Sequence, residues 1–430
     1  MQFKSIALLG ALASIAFADD DVTTSSASAA SASSTLSIAS GCSLSSATAT
    51  AQADLNKYAS CSALKGDLTI SGSLATASLS GVKAIYGSLI INNATLLTSF
   101  TADSLNTITE TLDLKSLTIL DTLALPELAT VGSINFVTLP ALDSIQLNTG
   151  LTQINSIYIS DTSLETLDGF DVTSLDTFNV NNNKNLNSID SKLENVKVAL
   201  EVSYNSNDVE VAFDQLQWAN NITFNDVSSV SLSSLQKVNS SLGFINTSLT
   251  DIEIPNLTAI GGSLTFVSNN DLEEIELSNL TSISGGFDIS NNTALSVIDG
   301  FDSLETVGGA IIFIGNFTNA SLPSLKRVSG GVDIESSGDL DCDSFNSLDK
   351  KGSIQGDSYV CKGASTSVSS SIASTSTSSK ASSKTSSSAS GSATASSSSA
   401  SSSSKGAAGS VGVQTGSILA GVAAFALSLI

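Results

Sequence analysis

Residues 257–275, LTAIGGSLTFVSNNDLEEI, contain the pattern from which the fold of this chain can be predicted. Leu264 and Phe266 are separated by one residue, two glycines precede them and an Asn-Asn pair follows them. An alternation with a period of two places both apolar side chains on one face of a short strand. The next stretch, residues 280–298, repeats the same order of apolar, glycine and asparagine residues. The stretch is therefore one unit of a repeat.

Equivalent apolar pairs recur along the middle of the chain. Their first residues are Leu68, Leu89, Leu112, Ile134, Ile157, Phe178, Leu200, Ile222, Leu242, Leu264, Phe287, Ile311 and Val332. The mean spacing of these residues is 22, which is typical of a solenoid whose strands stack into a parallel sheet. We therefore predict a mainly β fold over residues 41–362, a single parallel β solenoid of about 13 turns.

Three residue types have predictable places in such a turn. Glycine before the strand permits a tight corner where a Cβ or a positive φ would be unfavourable. Asparagine after the strand can bond to the backbone amides of neighbouring turns, and we place Asn93 and Asn291 at this corner. Phenylalanine fills the second inward position of four turns: Phe136, Phe224, Phe244 and Phe266. This repetition predicts an aromatic spine in the core rather than a ligand site.

Both ends of the chain carry targeting signals. Residues 1–18 combine a basic residue, an apolar stretch and an Ala-Phe-Ala triplet, which predicts a cleaved secretory signal peptide. At the other end, the apolar residues 418–430 are too few for a transmembrane helix, which needs about 20. A polar spacer and a cluster of small residues precede them, an order typical of a GPI-attachment signal. We predict Gly406 as the attachment residue, with Ala407 and Ala408 as alternatives.

Segments rich in Ser and Thr separate the repeats from these signals. Residues 19–40 are rich in Ser, Thr and Ala, and 29 of the 40 residues from 365 to 404 are Ser or Thr. Too little apolar area exists there to offset the loss of chain entropy on folding. In a secreted chain such a tract is typically O-glycosylated. We predict an N-terminal segment at 19–40, an O-glycosylated stalk at 363–405 and an attachment signal at 406–430.

The composition excludes several classes of function. The 430 residues include no His, and 40 Asp+Glu against 17 Lys+Arg give a net charge of −23. Without His the chain has no Ser-His-Asp nucleophile system and no His-ligated metal site. A chain this acidic lacks the basic surface that nucleic acids require. Nothing marks a catalytic pair in the acidic clusters at 271–276 and 339–343. The spacing at 339–343 is similar to a calcium loop but lacks its Gly and terminal Glu, so we predict no catalytic residue, no metal site and no cofactor.

The repeat pattern L-x-x-I-x-G-x-L-x-I-x-x-N-x-x-L resembles a leucine-rich repeat of the receptor L-domain type. With the signal peptide, the Ser-rich stalk and the GPI tail, the chain resembles the fungal GPI-anchored cell-wall organisation proteins over essentially its whole length. The resemblance implies a non-enzymatic glycoprotein on the outer leaflet of the plasma membrane that contributes to cell-wall organisation and integrity. It is compatible with retention at the membrane and with transfer to wall glucan, and it suggests wall glucan or mannoprotein as partners.

Two alternatives stand beside this interpretation. The first is a receptor-like module that binds a protein or a glycan, because solenoid faces suit extended partners. The second is a wall-glycan-modifying enzyme, which would need two carboxylates about 5 to 10 Å apart. The second residues of the 13 strands include a single aromatic residue, Tyr158, which is a poor sugar-binding cleft.

Four cysteines form two pairs of equal spacing, Cys42 with Cys61 and Cys342 with Cys361. Thirteen parallel strands at about 4.8 Å place the two ends of the sheet roughly 60 Å apart. A disulfide needs Cα atoms within about 7 Å, so only these two local pairings are possible. Each would close a loop just outside the first or last repeat, where a solenoid needs a cap over its apolar end.

Nine N-x-S/T sequons predict N-glycosylation in a secreted chain. Their asparagines are Asn93, Asn221, Asn239, Asn246, Asn256, Asn279, Asn291, Asn316 and Asn319. If the amides of Asn93 and Asn291 are tied into a corner ladder, those two residues cannot accept a glycan after folding. Asn316 and Asn319 are three residues apart, so crowding is expected to leave one unmodified. We predict that most of the nine carry a glycan.

Overall fold

The computed structural model describes residues 36–365 and 369–372. The elements are, in chain order, β1 (Ala47–Ala49), α1 (Gln52–Asn56), β2 (Ala63–Lys65), β3 (Leu68–Ile70), β4 (Thr76–Ser78), β5 (Ala84–Tyr86), β6 (Leu89–Asn92), β7 (Ser99–Thr101), β8 (Thr107–Lys115), β9 (Thr122–Ala124), β10 (Thr130–Leu139), β11 (Ile145–Gln146), β12 (Ser156–Thr162), β13 (Ser174–Asn181), β14 (Ser188–Asp190), β15 (Asn195–Ser203), β16 (Glu210–Ala212), β17 (Trp218–Ala219), β18 (Ile222–Asn225), β19 (Ser229–Ser231), β20 (Lys237–Val238), β21 (Leu242–Ile245), β22 (Asp251–Glu253), β23 (Ala259–Ile260), β24 (Leu264–Val267), β25 (Glu274–Glu276), β26 (Ser282–Ile283), β27 (Phe287–Ser290), β28 (Val297–Ile298), β29 (Thr306–Val307), β30 (Ile311–Gly315), β31 (Asn319–Ala320), β32 (Arg327–Val328), β33 (Val332–Ser336), α2 (Asp343–Lys350), β34 (Ser358–Lys362) and β35 (Ser369–Ile372). The predicted mainly β fold is confirmed. The signal peptide, most of the stalk and the attachment signal with Gly406, Ala407 and Ala408 lie outside the described residues.

The main sheet is a ladder of parallel strands held in one register. Every predicted first apolar residue from Leu68 to Val332 pairs with its counterpart in the next turn. The solenoid of about 13 turns is therefore confirmed. The structure adds one parallel strand at each end, β1 beside β3 and β34 beside β33. Strand β35 then joins β34 in the antiparallel direction, so four residues of the predicted stalk segment belong to the sheet.

Each turn has two further sides. A second ladder lies just before the main one. It consists of β2, β5, β17, β20, β23, β26, β29 and β32, with the first residues of β8, β10, β13 and β15. The third side consists of the short parallel rows β4–β7–β9–β11, β14–β16–β19, β22–β25 and β28–β31. Apolar side chains from all three sides meet in one continuous core.

Aromatic rings stack in the middle of this core. The ring centroids of Phe224 and Phe244 lie 5.6 Å apart, and those of Phe244 and Phe266 lie 5.4 Å apart. All three side chains are buried, so the predicted spine is confirmed in these turns. Phe136 is buried too, but several turns away from this stack. Phe313 occupies the same strand position in a fifth turn and contacts Phe287 instead.

The main strand ends at a left-handed corner in all but the last two of the 13 turns. Counted from the first inward residue, the fifth residue has a positive φ in eleven consecutive turns: Gly72, Asn93, Ser116, Thr138, Asp161, Asn182, Tyr204, Asp226, Asn246, Ser268 and Asn291. Most of these residues are Gly, Asn, Asp or Ser, and Gly, Asn and Asp visit this backbone region most readily. The left-handed residue turns its own side chain to solvent and directs the next side chain into the core.

In four of these turns the sixth residue, which follows the left-handed one, is an asparagine, and these asparagines form ladders between turns. The Oδ1 atom of Asn269 accepts hydrogen bonds from the backbone N–H of Thr247 at 2.9 Å and from its hydroxyl at 2.7 Å. The Oδ1 atom of Asn292, one turn further on, accepts from the backbone N–H of Asn269 at 2.9 Å. The same arrangement links Thr162, Asn183 and Asn205. All six residues are buried, so these amides supply partners to backbone groups that water cannot reach.

Asn93 and Asn291 lie at the corner after the strand, as predicted, but their amides are not tied into such a ladder. Both occupy the left-handed fifth position, with φ of 51° and 61°, and both are exposed. In the turn of Asn291 the ladder residue is Asn292, because the Asn-Asn pair lies one position earlier than in the preceding turn. The side chains of both sequon residues therefore point to solvent.

Glycines before the strand serve both predicted purposes: Gly66 and Gly87, before β3 and β6, have a positive φ, whereas those of the later turns serve close approach alone. Neither Gly261 nor Gly308 has a positive φ. A Cβ on Gly261 would lie 2.0 Å from the carbonyl oxygen of Asn239, and one on Gly308 would lie 2.1 Å from that of Ser284. Adjacent turns come so near each other at this corner that a side chain has no room.

A disulfide closes each end of the solenoid, as predicted, and the structure adds a short helix at each end. The Cα atoms of Cys42 and Cys61 are 5.8 Å apart, and those of Cys342 and Cys361 are 6.0 Å apart. Cys361 occupies the second inward position of β34, in register with the core residue Ile334. Helices α1 and α2 lie in the same end regions, and each buries one apolar side chain against the core.

The asparagine ladder gives a testable prediction. Asn269→Ala removes the acceptor of two donors on Thr247, one of them a buried backbone N–H. We expect the free energy of unfolding to fall by about 1–3 kcal/mol, the usual cost of leaving a buried polar group without a partner. Thermal and denaturant unfolding of the variant measure this loss. The matched control is Asn270→Ala at the exposed neighbour, and equal destabilisation of both variants would contradict the ladder's role.

Candidate functional site

The outward surface of the main sheet is continuous over the repeats. In each turn we count from the first inward residue of the main strand. The second and fourth residues lie on the outward face of the sheet, because successive side chains alternate between the two faces. In β8, β10, β12, β13 and β15 these residues form what we call the polar face: Asp113, Lys115, Asn135, Val137, Tyr158, Ser160, Asn179, Asn181, Glu201 and Ser203. In β21, β24, β27 and β30 they form the aliphatic face: Gly243, Ile245, Thr265, Val267, Asp288, Ser290, Ile312 and Ile314.

Hydrogen bonds between strands order one edge of the polar face. The Nδ2 atom of Asn135 donates to Oδ1 of Asp113 at 2.8 Å, across adjacent strands. The ammonium of Lys115 lies 3.3 Å from the other carboxylate oxygen of Asp113. Because the Asp113 carboxylate binds both neighbours, its orientation is fixed before any ligand arrives.

A second group of hydrogen bonds orders the other edge. Asn179 donates to the carboxylate of Glu201 at 2.9 Å and accepts from the amide of Asn181 at 2.6 Å. Ser160 donates to Oδ1 of Asn181 at 2.6 Å, and Ser203 donates to Glu201 at 3.2 Å. The amides, hydroxyls and carboxylate thus form one connected network over three strands, β12, β13 and β15, in which Ser160, Asn181 and Ser203 are buried.

Two tyrosines border this network. Tyr158 lies between the two groups, in register with Asn135 on one side and Asn179 on the other, and 40% of its surface is exposed. Tyr204 follows β15 directly and is 56% exposed. Its φ of 52° is unusual for a bulky residue. The sequence pattern identified Tyr158 as an outward residue, but it gave no reason to select Tyr204.

The predicted glycan acceptors lie at corners and on the third side, and none belongs to the polar or aliphatic face. Asn93, Asn246 and Asn291 are left-handed corner residues, and Asn221 and Asn239 lie at the corner before the strand. The remaining four are Asn256, Asn279, Asn316 and Asn319. Eight of the nine side chains are exposed and Asn221 is half-buried. Residues 94–220 contain no sequon, so every acceptor except Asn93 lies in the later turns.

The acidic clusters do not form a metal centre. A surface depression is lined by five carboxylates of β22, β25 and the residue before β25: Asp251, Glu253, Glu273, Glu274 and Glu276. Within residues 36–365, no group of three or more His, Cys, Asp or Glu side chains is arranged to hold a metal ion. In the cluster at 339–343, the carboxylate of Asp341 accepts the backbone N–H of Asp343 at 2.8 Å, at the beginning of α2.

Two outward carboxyl groups have raised pKa values. Burial raises the pKa of Asp288, and the hydrogen bond from Ser290 opposes this effect. Burial also raises the pKa of Asp333, and the negative charge of Glu335 adds to the effect. One oxygen of Asp333 is buried without a hydrogen-bond partner in the described part of the chain. Neither carboxyl lies in the acidic depression, so the shifts reflect strand packing rather than a cleft.

Asp333 gives a prediction about pH. A folded-state pKa above the unfolded value of 3.8 means that ionised Asp333 destabilises the fold once the pH rises above that value. We expect Asp333→Asn to raise the thermal unfolding midpoint at about pH 7 and to leave it nearly unchanged at about pH 3, where the carboxyl is neutral in both states. Asp302→Asn, at an exposed position, is the control. A lower midpoint at neutral pH would show that the charge is stabilising.

No helix in residues 36–365 is both long and apolar enough to cross a lipid bilayer. No family model matches the chain, and no solved structure matches it.

Several fungal proteins are similar over most of the chain. The cell wall mannoprotein PST1 of Saccharomyces cerevisiae is 48% identical over 320 residues, which are 74% of this chain and 72% of that protein. The cell surface GPI-anchored protein ECM33 of Candida albicans is 36% identical over 72% of this chain and 76% of its own. The cell wall protein ecm33 of Schizosaccharomyces pombe is 34% identical over 74% of this chain and 76% of its own.

Identity of this extent shows common descent and confirms the resemblance seen in the repeat pattern and the terminal signals. The matched share of each relative exceeds two thirds of its length, so the likeness covers the body of these proteins rather than one shared module. The chain belongs to the fungal family of cell-wall and GPI-anchored cell-surface proteins that includes PST1 and ECM33.

Proposed function

We propose that this protein is a non-enzymatic glycoprotein of the fungal cell surface that contributes to the organisation and integrity of the cell wall. Its relatives are named as cell-wall and GPI-anchored cell-surface proteins, which supports this location. The observation that carries the role is the uninterrupted solenoid with ordered outward faces, because such a surface suits extended partners. The partners that we propose are the outer leaflet of the plasma membrane and wall glucan or mannoprotein. We propose no nucleic-acid partner.

The absence of a catalytic role is part of the proposal. The second candidate is a wall-glycan-modifying enzyme, and the feature that favours it is the pair Asp333 and Glu335 on β33, one with a raised pKa. Such enzymes place their carboxylates on opposite sides of a bound sugar. Asp333 and Glu335 instead lie on one face of one strand, and the acidic depression contains neither. A structural or binding role agrees better with this surface.

Covalent modification completes the proposal. We propose attachment of a GPI lipid at Gly406, with Ala407 or Ala408 as alternatives, O-glycans on the stalk at 363–405 and N-glycans at most of the nine sequons. The exposed side chains of Asn93 and Asn291 make both residues accessible acceptors. Asn316 and Asn319 are also both exposed, so only their closeness in sequence limits double occupancy.

Replacing the solenoid tests the function. We expect a chain in which an unrelated spacer replaces residues 41–362, with the signal peptide, stalk and attachment signal retained, to reach the surface and to leave the wall weak. Sensitivity of cells to wall-binding dyes and to osmotic shock measures the effect. Normal walls in these cells would contradict the proposal.

The same cells distinguish a scaffold from an enzyme. The double variant Asp333→Asn, Glu335→Gln keeps the solenoid but removes the pair of carboxyl groups. A scaffold predicts wild-type resistance to the dyes, whereas an enzyme that uses this pair predicts the same weakness as the spacer chain.

The attachment site gives a separate prediction. We expect the mature C-terminal peptide to end at Gly406 with the lipid glycan attached, as mass spectrometry of the released protein would measure. Gly406→Trp, Ala407→Trp and Ala408→Trp combined should abolish attachment, because the attachment site requires small residues. Gly412→Trp in the spacer is the control. Normal attachment in the triple variant would place the site elsewhere.

A further inference from the structure

The polar face lies in the part of the solenoid that has no glycan acceptors. Residues 94–220 contain no sequon. The aliphatic face, by contrast, begins between Asn239 and Asn246, includes the turn of Asn291 and ends on β30, two residues before Asn316. Glycans at these positions would shield the aliphatic side chains and leave the polar face accessible. Accessibility therefore selects the polar face as the contact surface of the glycoprotein.

The chemistry of the polar face suits a ligand rich in hydroxyl groups. Carboxylates accept two or more hydrogen bonds, and amides both donate and accept. Asp113 on β8, Asn179 on β13 and Glu201 on β15 present these groups on one face of the sheet, held in place by the bonds described above. Because their orientations are fixed in advance, binding a polyol loses little side-chain entropy.

An aromatic ring lies in the middle of these groups. Tyr158 separates the Asp113–Asn135 pair from the Asn179–Glu201 pair, and its ring is partly exposed. Sites for small polar ligands typically combine such an apolar surface with a few convergent polar groups. The C–H face of a sugar ring can pack on an aromatic ring while its hydroxyls bond to amides and carboxylates on either side.

The backbone at Tyr204 is a second, independent indication. Most other left-handed corners carry Gly, Asn, Asp or Ser, yet this one carries an exposed aromatic residue with a φ of 52°. A bulky residue in this region is strained, and strain that persists in a fold commonly marks a functional position. Tyr204 extends the polar face at the Glu201 edge with a second exposed ring.

From these observations we propose that the polar face is a binding site for an uncharged polysaccharide, with Tyr158 and Tyr204 as stacking surfaces and Asp113, Asn179 and Glu201 as hydrogen-bonding groups. The inference rests on the proposed function, since it takes the ligand to be a wall polymer. Two carboxylates against the single ammonium of Lys115 disfavour an anionic chain.

A protein partner fits this surface less well. Protein interfaces depend on a few apolar or aromatic anchors that are desolvated together. Val137 is the single aliphatic residue among the ten outward positions of the polar face. The second residues of the strands, taken alone, include one aromatic ring and predict a poor sugar-binding cleft. The structure adds the fourth residues of the strands and Tyr204.

Binding of the full-length glycoprotein, solubilised from cells in detergent, to insoluble β-1,3-glucan, chitin and mannan tests the inference. We expect one of the three polymers to retain the wild-type protein. Tyr158→Ala should weaken retention by about tenfold, and Tyr158→Phe should preserve it because the ring is kept. Thr265→Ala, at the same strand position on the aliphatic face, is the control and should bind as the wild type does.

Tyr204→Asn separates binding from folding. Asparagine tolerates the left-handed backbone, so the thermal midpoint should not fall, while polymer retention should decrease. Retention equal to the wild type in both Tyr158→Ala and Tyr204→Asn, or failure of all three polymers to retain the wild-type protein, would overturn the inference.

The outcome is distinguishable from that of the proposed function. If no polymer retains the protein but the spacer chain still weakens the wall, the binding inference fails and the wall function stands. If a polymer retains the protein through Tyr158 but spacer-chain cells have normal walls, the binding site stands and the wall function fails.

Discussion

Every feature of this solenoid depends on the register of its parallel ladder. In every turn from Leu68 through Val332, the first apolar residue of the strand pairs with the first apolar residue of the preceding turn. This alignment gives the backbone N–H and C=O groups their partners in the adjacent turns. The turns differ in length by a few residues, and the corners and the third side absorb the difference. The inward positions are thereby fixed as Leu, Ile, Val or Phe, and the core is continuous.

Residues at the corners supply hydrogen-bond partners to backbone groups that this register buries. Where the strand ends, a left-handed residue reverses the side-chain direction, and in four turns the following Asn supplies its amide to backbone groups buried between turns. Before the strand, turns approach so closely that only glycine fits at Gly261 and Gly308. These requirements leave the surface as the part of each turn that is free to vary. Glycan acceptors and outward polar residues occur there.

A surface made in this way is flat and repetitive, and its chemistry comes from residues that are distant in sequence. Asp113 and Asn135 meet because strands β8 and β10 are neighbours, and Asn179 meets Glu201 for the same reason. Such a surface presents many hydrogen-bonding groups side by side and encloses none of them in a cleft. The shape of such a surface suits extended partners, and the family to which the chain belongs is found at the cell surface and in the cell wall.

The sequence by itself determined the period, the inward residue of every turn, both disulfide pairings and the family, because these depend on spacing along the chain. Only the tertiary structure decided which residue of an Asn-Asn pair enters the core. At the corner after β27 this residue is Asn292 and not Asn291, since the sign of φ at the corner sets the side to which the next residue points. Only the structure, likewise, added the end strands β1 and β34, the burial of Asp333 and the polar network around Tyr158. Contacts between turns about 22 residues apart depend on the exact length of each corner, and a repeat pattern specifies that length only on average.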